Sequence, residues 1–413
     1  MTAPHTRRTF LRRGALAAGA LAAGGAGAAV VLRGAASEAA PGPGLARGVA
    51  LGPGFMHLPE QRYEANRSRF AETATPWVRL WADWPALQPA AGRAPHEGGG
   101  AAAVAELDRQ VRLAKADGRK VILTAWRFAR WSNGTAGLSA AEDERFELRD
   151  RVPPGGDPAG RKELEYRLAT DLTPRGAWAH WIDYLIGRYA RRIDALEVTN
   201  EPNLQLWPQR DASGALTIDA ATATMMETAA AVAARHRDAP LLVGPATGDP
   251  AGDSRLRTGY DTFTRALLDR LAERRFTPGP RFAWSHHNYS DVEGDLAGGA
   301  NRVAHVRAML AGRWTGWPHG DAGEPGILVT ESGARPDVVA RAFGVTGRAA
   351  ALRKQAELIE RSLWRMAAGP EGRGVALVCQ YLFVTDPFYD SGLCDLDGTP
   401  RPAYYAWAAS PTL

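Results

Sequence analysis

The chain has 413 residues, and 45% of them are hydrophobic, so it can bury a large core as one barrel-sized domain or two smaller ones. Its formal net charge is +5, but residues 1–40 carry five arginines against one glutamate, which leaves +1 for the rest of the chain. The basic balance therefore gives no support for a nucleic-acid partner, and no stretch after residue 40 is apolar enough to span a membrane.

The first forty residues resemble an export signal rather than part of a fold. Residues 6–12 read TRRTFLR, and a weakly hydrophobic run follows at Gly14–Leu32. This pattern resembles the twin-arginine (Tat) signal that bacteria use to export folded proteins. An ordinary secretory signal or a membrane anchor is the alternative. We expect cleavage between Gly34 and Pro41, without a defined site, and a secreted, extracellular domain over residues 41–413.

The cysteine content is low. Cys379 and Cys394 are the two cysteines of the chain, which excludes a disulfide scaffold and a thiolate metal site. In an exported protein they could form a single bridge, and two buried free thiols are the other alternative.

Strand-like and helix-like stretches alternate from about Gly48 onward. The predicted strands are Gly48–Met56, Trp77–Trp81, Lys120–Trp126, Ile193–Thr199, Pro240–Pro245, Arg281–His287, Gly326–Thr330 and Val375–Phe383. The predicted helices between them are Ala101–Ala116, Gly176–Ala190, Asp219–His236, Tyr260–Arg275 and Gly347–Ala368.

Eight strand–helix units predict an α/β fold, a single (β/α)8 TIM barrel. A doubly wound open sheet is the structural alternative, but no glycine-rich nucleotide loop follows the first strand. The longest irregular stretch, Arg127–Thr173, comes directly after the third strand. In a barrel it forms a large loop over the face where catalysis takes place.

Two glutamates stand at the ends of separate predicted strands. Pro202 cannot pair in a ladder, so the fourth strand is expected to stop at Asn200-Glu201. The seventh strand ends in the same way at Glu331. Either glutamate alone could be a solvated carboxylate, but two at strand ends are the groups that glycoside hydrolysis needs.

The strand ends carry four motifs in a fixed order. They are Arg79 on strand 2, Asn200-Glu201-Pro202 on strand 4, His287-Asn288-Tyr289 on strand 6 and Thr330-Glu331-Ser332-Gly333 on strand 7. The ordered set resembles the clan A retaining glycoside hydrolases, the superfamily of cellulase-like family 5 and xylosidase-like family 39. The resemblance covers nearly all of the chain after residue 40.

The resemblance implies a role for each matched residue. Glu331 would be the nucleophile, and Glu201 would start as a proton donor and later act as a base. Arg79 and Tyr289 would donate hydrogen bonds to Glu331, and Asn200 would bind the sugar 2-hydroxyl. His287 would complete the substrate-binding set. For Arg79, a purely structural ion pair is the alternative.

The chain departs from this family at two strand ends. The family usually has a tryptophan at the end of strand 8, where Tyr381 or Phe383 would have to replace it. Family 5 often has a histidine near the end of strand 3, where this chain has Trp126-Arg127. A particular polysaccharide therefore cannot be assigned. Tryptophans at or beyond strand ends could stack on sugar rings or belong to the core: Trp81, Trp84, Trp126, Trp131 and Trp207.

No cofactor and no metal is expected. His286 and His287 are adjacent on a strand, so they point to opposite faces, and the sequence shows no third ligand. The prediction is a monomeric glycosidase with a carbohydrate as its partner. A non-catalytic carbohydrate-binding barrel and a transglycosylase with the same residues are the alternatives. Sugar identity, linkage and exo or endo action stay open.

Overall fold

A closed barrel of eight parallel strands forms the centre of the computed structural model, which describes residues 45–52, 62–138, 164–254, 256–294, 301–319, 324–386 and 389–410. Each strand pairs with the next along the chain, and the eighth closes the barrel against the first. The strands are β1 Ala46–Ala50, β2 Trp77–Asp83, β3 Lys120–Trp126, β4 Ala195–Glu197, β5 Leu241–Thr247, β6 Phe282–His287, β7 Ile327–Ser332 and β8 Val375–Tyr381. The predicted (β/α)8 barrel is confirmed.

Helices connect the strands on the outside of the barrel. They are α1 Arg67–Glu72, α2 Trp84–Leu87, α3 Ala101–Ala116, α4 Ala177–Tyr189, α5 Ile218–Ala233, α6 Tyr260–Glu273, α7 Tyr289–Glu293, α8 Arg302–Leu310, α9 Pro336–Phe343, α10 Arg348–Ala368 and α11 Pro402–Ala409. Within the described residues, none of the helices has the length and apolar character needed to cross a bilayer.

The alternation of side chains along each strand produces two separate layers. Small and aliphatic residues fill the interior of the barrel, namely Ile122, Ala195, Val243, Ala283, Leu328, Leu377 and Cys379. Leu196, between the inward-facing Ala195 and Glu197, belongs instead to the larger core between strands and helices. Thr124 on β3 comes two residues after Ile122, and Glu197 on β4 comes two residues after Ala195. Their hydrogen-bonded side chains form a polar layer above the apolar interior.

Most predicted elements are found, and the bounds of β3 and α3 are those predicted. The fourth strand is shorter than the predicted Ile193–Thr199, because the Ile193 amide donates to the Tyr189 carbonyl (3.0 Å) and so belongs to the end of α4. At the other end, Glu201 has a positive φ of 41°, which removes it from a strand conformation. The first strand ends at Ala50, and residues 53–56 of its predicted range lie outside the described residues.

Both cysteines are free and buried, which decides between the two alternatives left open by the sequence. Cys379 faces the barrel interior, whereas Cys394 lies in the outer core. The Cys379 thiol packs against Gly48 on β1, where a Cβ atom would stand 2.5 Å from Sγ and 3.0 Å from Cβ of Trp77.

We therefore expect Gly48→Ala to destabilise the barrel by about 1–3 kcal/mol, because strand β1 would have to move away from β8 and β2. Urea unfolding followed by tryptophan fluorescence measures the change. Gly137→Ala is the matched control, since a Cβ atom there meets nothing within 4 Å. Equal stability of the two variants would contradict the packing seen at Gly48.

Candidate active site

A buried arginine lies at the centre of the polar layer. Arg79 on β2 is fully buried, and its guanidinium donates to carboxylates from two other strands. Nε donates to Glu197 Oε2 (2.8 Å), and Nη1 donates to Glu331 Oε1 (2.6 Å). Nη2 donates to Glu197 and to Asn200 Oδ1, the latter at 2.7 Å. Burial lowers the pKa of Arg79, but the charges of Glu197 and Glu331 outweigh it, so that the pKa lies above the ordinary value.

Glu331, on β7, has a hydrogen-bond donor on each carboxylate oxygen. Arg79 holds Oε1, and the Tyr289 hydroxyl donates to Oε2 over 2.7 Å. Tyr289 itself is buried, and the pKa of its phenol lies well above the ordinary value because of burial and the nearby charge of Glu331. Donors on both oxygens fix the orientation of this carboxylate.

Glu201 follows β4 in a conformation that few side-chain-bearing residues adopt. With φ at 41° it turns out of the strand, and its amide donates to the Ala246 carbonyl over 3.0 Å. Gln205 donates to Oε2 at 2.9 Å. Gly248 leaves room for the carboxylate, because a Cβ atom there would stand 2.9 Å from Glu201 Oε1. The backbone bend thus aims Glu201 across the barrel mouth instead of along the strand.

His287 lies between the two glutamates. Its Nδ1 is 2.9 Å from Glu201 Oε1 and 3.6 Å from Glu331 Oε2. One oxygen of each glutamate and the His287 nitrogen all lie within 4.8 Å of one another. Burial lowers the pKa of His287, but the charge of Glu331 and the hydrogen bond to Glu201 outweigh it, and the pKa is raised above 6.5.

His286, the neighbouring residue, faces the outside of the barrel, as the alternation of the strand predicts. Its ring lies 5.9 Å from that of Tyr260, and burial lowers its pKa to about 3, with smaller contributions from His287 and Arg302. It therefore stays neutral at any ordinary pH. The pKa values of the two histidines differ because the carboxylates of Glu331 and Glu201 raise that of His287, whereas burial dominates at His286.

The sequence shows no further ligand near the two histidines, but the fold brings Glu201 and Glu331 to His287. These ligand atoms are, however, already engaged. Arg79 and Tyr289 donate to Glu331, and Gln205 donates to the second oxygen of Glu201. Carboxylate oxygens that a cation would need as ligands thus already accept hydrogen bonds from protein donors.

Glu197 contacts Arg79 and was not predicted from the sequence. It is fully buried on β4, and Oε2 accepts hydrogen bonds from Arg79 and from Thr124 Oγ1, the latter at 2.8 Å. The available signal was its position two residues after the inward-facing Ala195, which puts a carboxylate inside the barrel. Nothing in the sequence connects it to Arg79, which is 118 residues away.

An aromatic cluster surrounds the carboxylates. Trp81, Trp126, Tyr289 and Tyr381 pack together with Ala50 and Leu382, and Tyr166 and Tyr389 border them. Trp81 lies over the Arg79 guanidinium, 4.2 Å from its carbon, and contacts Trp126 edge to face. The structure thus places Tyr381 at the site. Phe383, the other predicted substitute, lies instead in the outer core against Phe70, with ring centroids 4.6 Å apart.

Tyr166 and Tyr389 were not predicted, because both lie in irregular segments. Tyr166 is 6.1 Å from Trp126, and Tyr389 is 5.4 Å from Tyr381, measured between ring centroids. Trp207 lies outside this aromatic cluster and contacts it through Tyr166. Its amide donates to the Tyr166 carbonyl, and the Arg167 guanidinium lies 5.3 Å above its ring. Residues 139–163 of the long loop after β3 lie outside the described residues.

Several solved structures that this chain resembles in fold are described as glycoside hydrolases. A family 39 glycoside hydrolase from Bacteroides cellulosilyticus WH2 is 14% identical, with a TM-score of 0.52 over 88% of this chain and 63% of that one. A triple mutant of the endo-beta-1,4-glucanase from Xanthomonas axonopodis pv. citri is 15% identical, with a TM-score of 0.51 over 88% and 98%. Xylanase B from Clostridium stercorarium F9 is 14% identical, with a TM-score of 0.51 over 89% and 97%.

This chain spans less than two thirds of the length of the family 39 enzyme. No protein-family model matches the sequence, and no curated protein matches it. The comparisons therefore establish the barrel fold, and the chemistry has to be argued from the residues of this chain.

The two adjacent histidines predict opposite titrations. We expect His287 to titrate above its ordinary value of 6.5 and His286 to stay neutral down to a pH of about 3. Nitrogen-detected NMR of histidine-labelled protein, assigned with His286→Gln and His287→Gln, measures both values. Because the folded-state pKa of His287 is raised, its stabilising contribution is complete below about pH 6.5 and is lost as the pH rises through the folded value. Titration of both rings near 6.5 would contradict the described contacts.

Proposed function

We propose that this protein is a retaining glycoside hydrolase that cleaves a β-linked glycan or glycoside by double displacement. The observation that carries the proposal is the pair Glu201 and Glu331, whose nearest ligand atoms lie within 4.8 Å at the ends of β4 and β7. Retaining enzymes need carboxyl groups about 5–5.5 Å apart, whereas inverting enzymes need about 6.5–9.5 Å to hold a water between them.

In the first step, ionised Glu331 attacks the anomeric carbon while the bond to the leaving oxygen breaks. Protonated Glu201 gives its proton to that oxygen, and a glycosyl ester forms on Glu331. In the second step, Glu201 takes a proton from water as the water attacks the same carbon. The ester bond then breaks, Glu331 is released as a carboxylate, and the sugar leaves with its original anomeric configuration.

The neighbours of the two glutamates support this division of labour. Donors on both oxygens hold Glu331 in one orientation, and the shorter of the two bonds comes from Arg79. Glu201 is the more exposed carboxylate, with a side chain 14% accessible against 6% for Glu331. It can therefore exchange its proton with the leaving group and with water.

The remaining predicted residues take substrate-binding roles in this proposal. Asn200 accepts from Arg79 and lies beside Glu201, where its amide can reach the sugar 2-hydroxyl. Trp126 and Tyr381 belong to the aromatic cluster beside the carboxylates, and Trp207 is hydrogen-bonded to Tyr166 at the border of that cluster. A sugar hydroxyl could take the place of water in the second step, which would give transglycosylation with the same residues.

The sharpest test is intact mass spectrometry after incubation of residues 41–413 with a panel of 2-deoxy-2-fluoro glycosyl fluorides. The fluorine slows both steps, so the covalent ester should accumulate and map to Glu331 by peptide analysis. The sugar that reacts identifies the glycone. Labelling at another residue would reject Glu331 as the nucleophile, and glycan binding with no adduct would favour a non-catalytic binding barrel.

Chemical rescue assigns the two roles independently. Glu331→Ala and Glu201→Ala should each lower turnover by about 10³-fold or more while keeping the fold, since each removes a group used in bond making or breaking. Azide should restore part of the activity with opposite anomeric products in the two variants. Glu357→Ala, a surface carboxylate with a 57% accessible side chain, is the matched control. Near-normal activity in either active-site variant would reject the assignment.

We also propose that residues 1–40 direct export by the twin-arginine pathway. The support is the paired Arg7-Arg8 followed by a weakly hydrophobic run. Replacing both arginines with lysine should retain the protein inside a bacterial host, whereas the same change at Arg12 and Arg13 should not. Export of the Arg7-Arg8 variant at the normal level would refute the pathway.

A further inference from the structure

Glu197 has a feature that a structural ion pair does not require. One of its oxygens, Oε2, accepts hydrogen bonds from Arg79 and Thr124. The other, Oε1, is buried without a hydrogen-bond partner among the described residues. A buried carboxylate oxygen without a hydrogen-bond donor destabilises the fold, so the negative charge of Glu197 is not explained by stability alone.

The charges at the barrel mouth do not balance. Arg79 is a single guanidinium, and it forms ion pairs with two carboxylates, Glu197 and Glu331. Arg79, Glu197 and Glu331 together therefore carry one net negative charge, and neutralising Glu197 would remove it.

We propose that Glu197 is a positioning residue that sets the charge of the site, so that the site favours a positively charged sugar-like ligand over a neutral one of the same shape. The proposal rests on the glycosidase function proposed above. Glycoside cleavage passes through an oxocarbenium-like transition state, which carries positive charge at the reacting carbon. A net negative charge stabilises that state more than the neutral substrate, and the effect is strong because Glu197 and Arg79 are fully buried.

The same carboxylate acts on the intermediate. When Glu331 becomes an ester it loses its charge, and Arg79 then keeps Glu197 as its ionic partner. Without the Glu197 charge, Arg79 would be left as an uncompensated buried cation in the intermediate, which is strongly unfavourable. Arg79 would also polarise the Glu331 carboxylate more strongly and make it a weaker nucleophile.

The variant Glu197→Gln separates charge from geometry. Its side-chain oxygen can keep the bonds from Arg79 and Thr124, and its amide takes the place of the unpartnered Oε1. Thr124→Val is the matched control, because it removes a hydrogen bond to the same oxygen and keeps the charge. For both variants and the wild type, we would compare inhibition by a protonated 1-N-iminosugar with inhibition by its neutral lactam, using the glycone identified by labelling.

We expect Glu197→Gln to weaken the protonated inhibitor by about tenfold or more, and the lactam by less than about threefold. Thr124→Val should leave the ratio of the two inhibition constants unchanged. Equal loss of both inhibitors in Glu197→Gln would mean that Glu197 only orients Arg79, and it would overturn the proposal.

A second readout needs no sugar and so separates this proposal from the glycosidase function. In NMR titrations, Glu197→Gln should lower the pKa of His287, because it removes a negative charge from the same buried layer, whereas Thr124→Val should not. An unchanged pKa of His287 would overturn the charge proposal whether or not any fluorosugar labels the protein. If Glu197→Gln does not fold, Glu197→Asp keeps the charge and should keep the His287 titration, and loss of the raised pKa there would equally contradict the proposal.

Discussion

The barrel mouth depends on the ion pairs that the buried guanidinium of Arg79 makes with carboxylates. An unpaired cation in a dry interior is strongly destabilising, so Arg79 can be accommodated only if carboxylates from other strands reach it. Glu197 and Glu331 reach it from β4 and β7, and Asn200 Oδ1 accepts a further hydrogen bond from it. Three strand ends are thereby fixed relative to one another, and the nucleophile candidate is held as part of a structural ion pair.

The two candidate catalytic carboxylates differ because their surroundings differ. Glu331 is almost enclosed and accepts hydrogen bonds from Arg79 and Tyr289, one on each oxygen. Glu201 is set on a bend beyond its strand and contacts an amide and a histidine that can itself carry a proton. The same residue type thus serves two chemical purposes, and the difference lies in the contacts.

Much of this arrangement was readable from the sequence, and the failures have specific causes. Strand ends gather at one face of a barrel, so the motifs at Glu201 and Glu331 predicted their proximity. The bounds of β4 were wrong because a carbonyl of the preceding helix and a positive φ, both tertiary features, decide them. Glu197 was missed because its partner is distant in sequence, and Tyr389 because an irregular segment gives no periodic signal.

The left-handed backbone conformation of Glu201 lowers the stability of the fold, while the side chain it carries is needed for the proposed reaction. A residue with a side chain at φ of 41° is strained, and glycine would adopt that conformation without cost. Glu201→Gly would relieve this strain, and under the proposed mechanism it would also remove the proton donor. A barrel of this kind could therefore gain stability and lose activity through a single substitution.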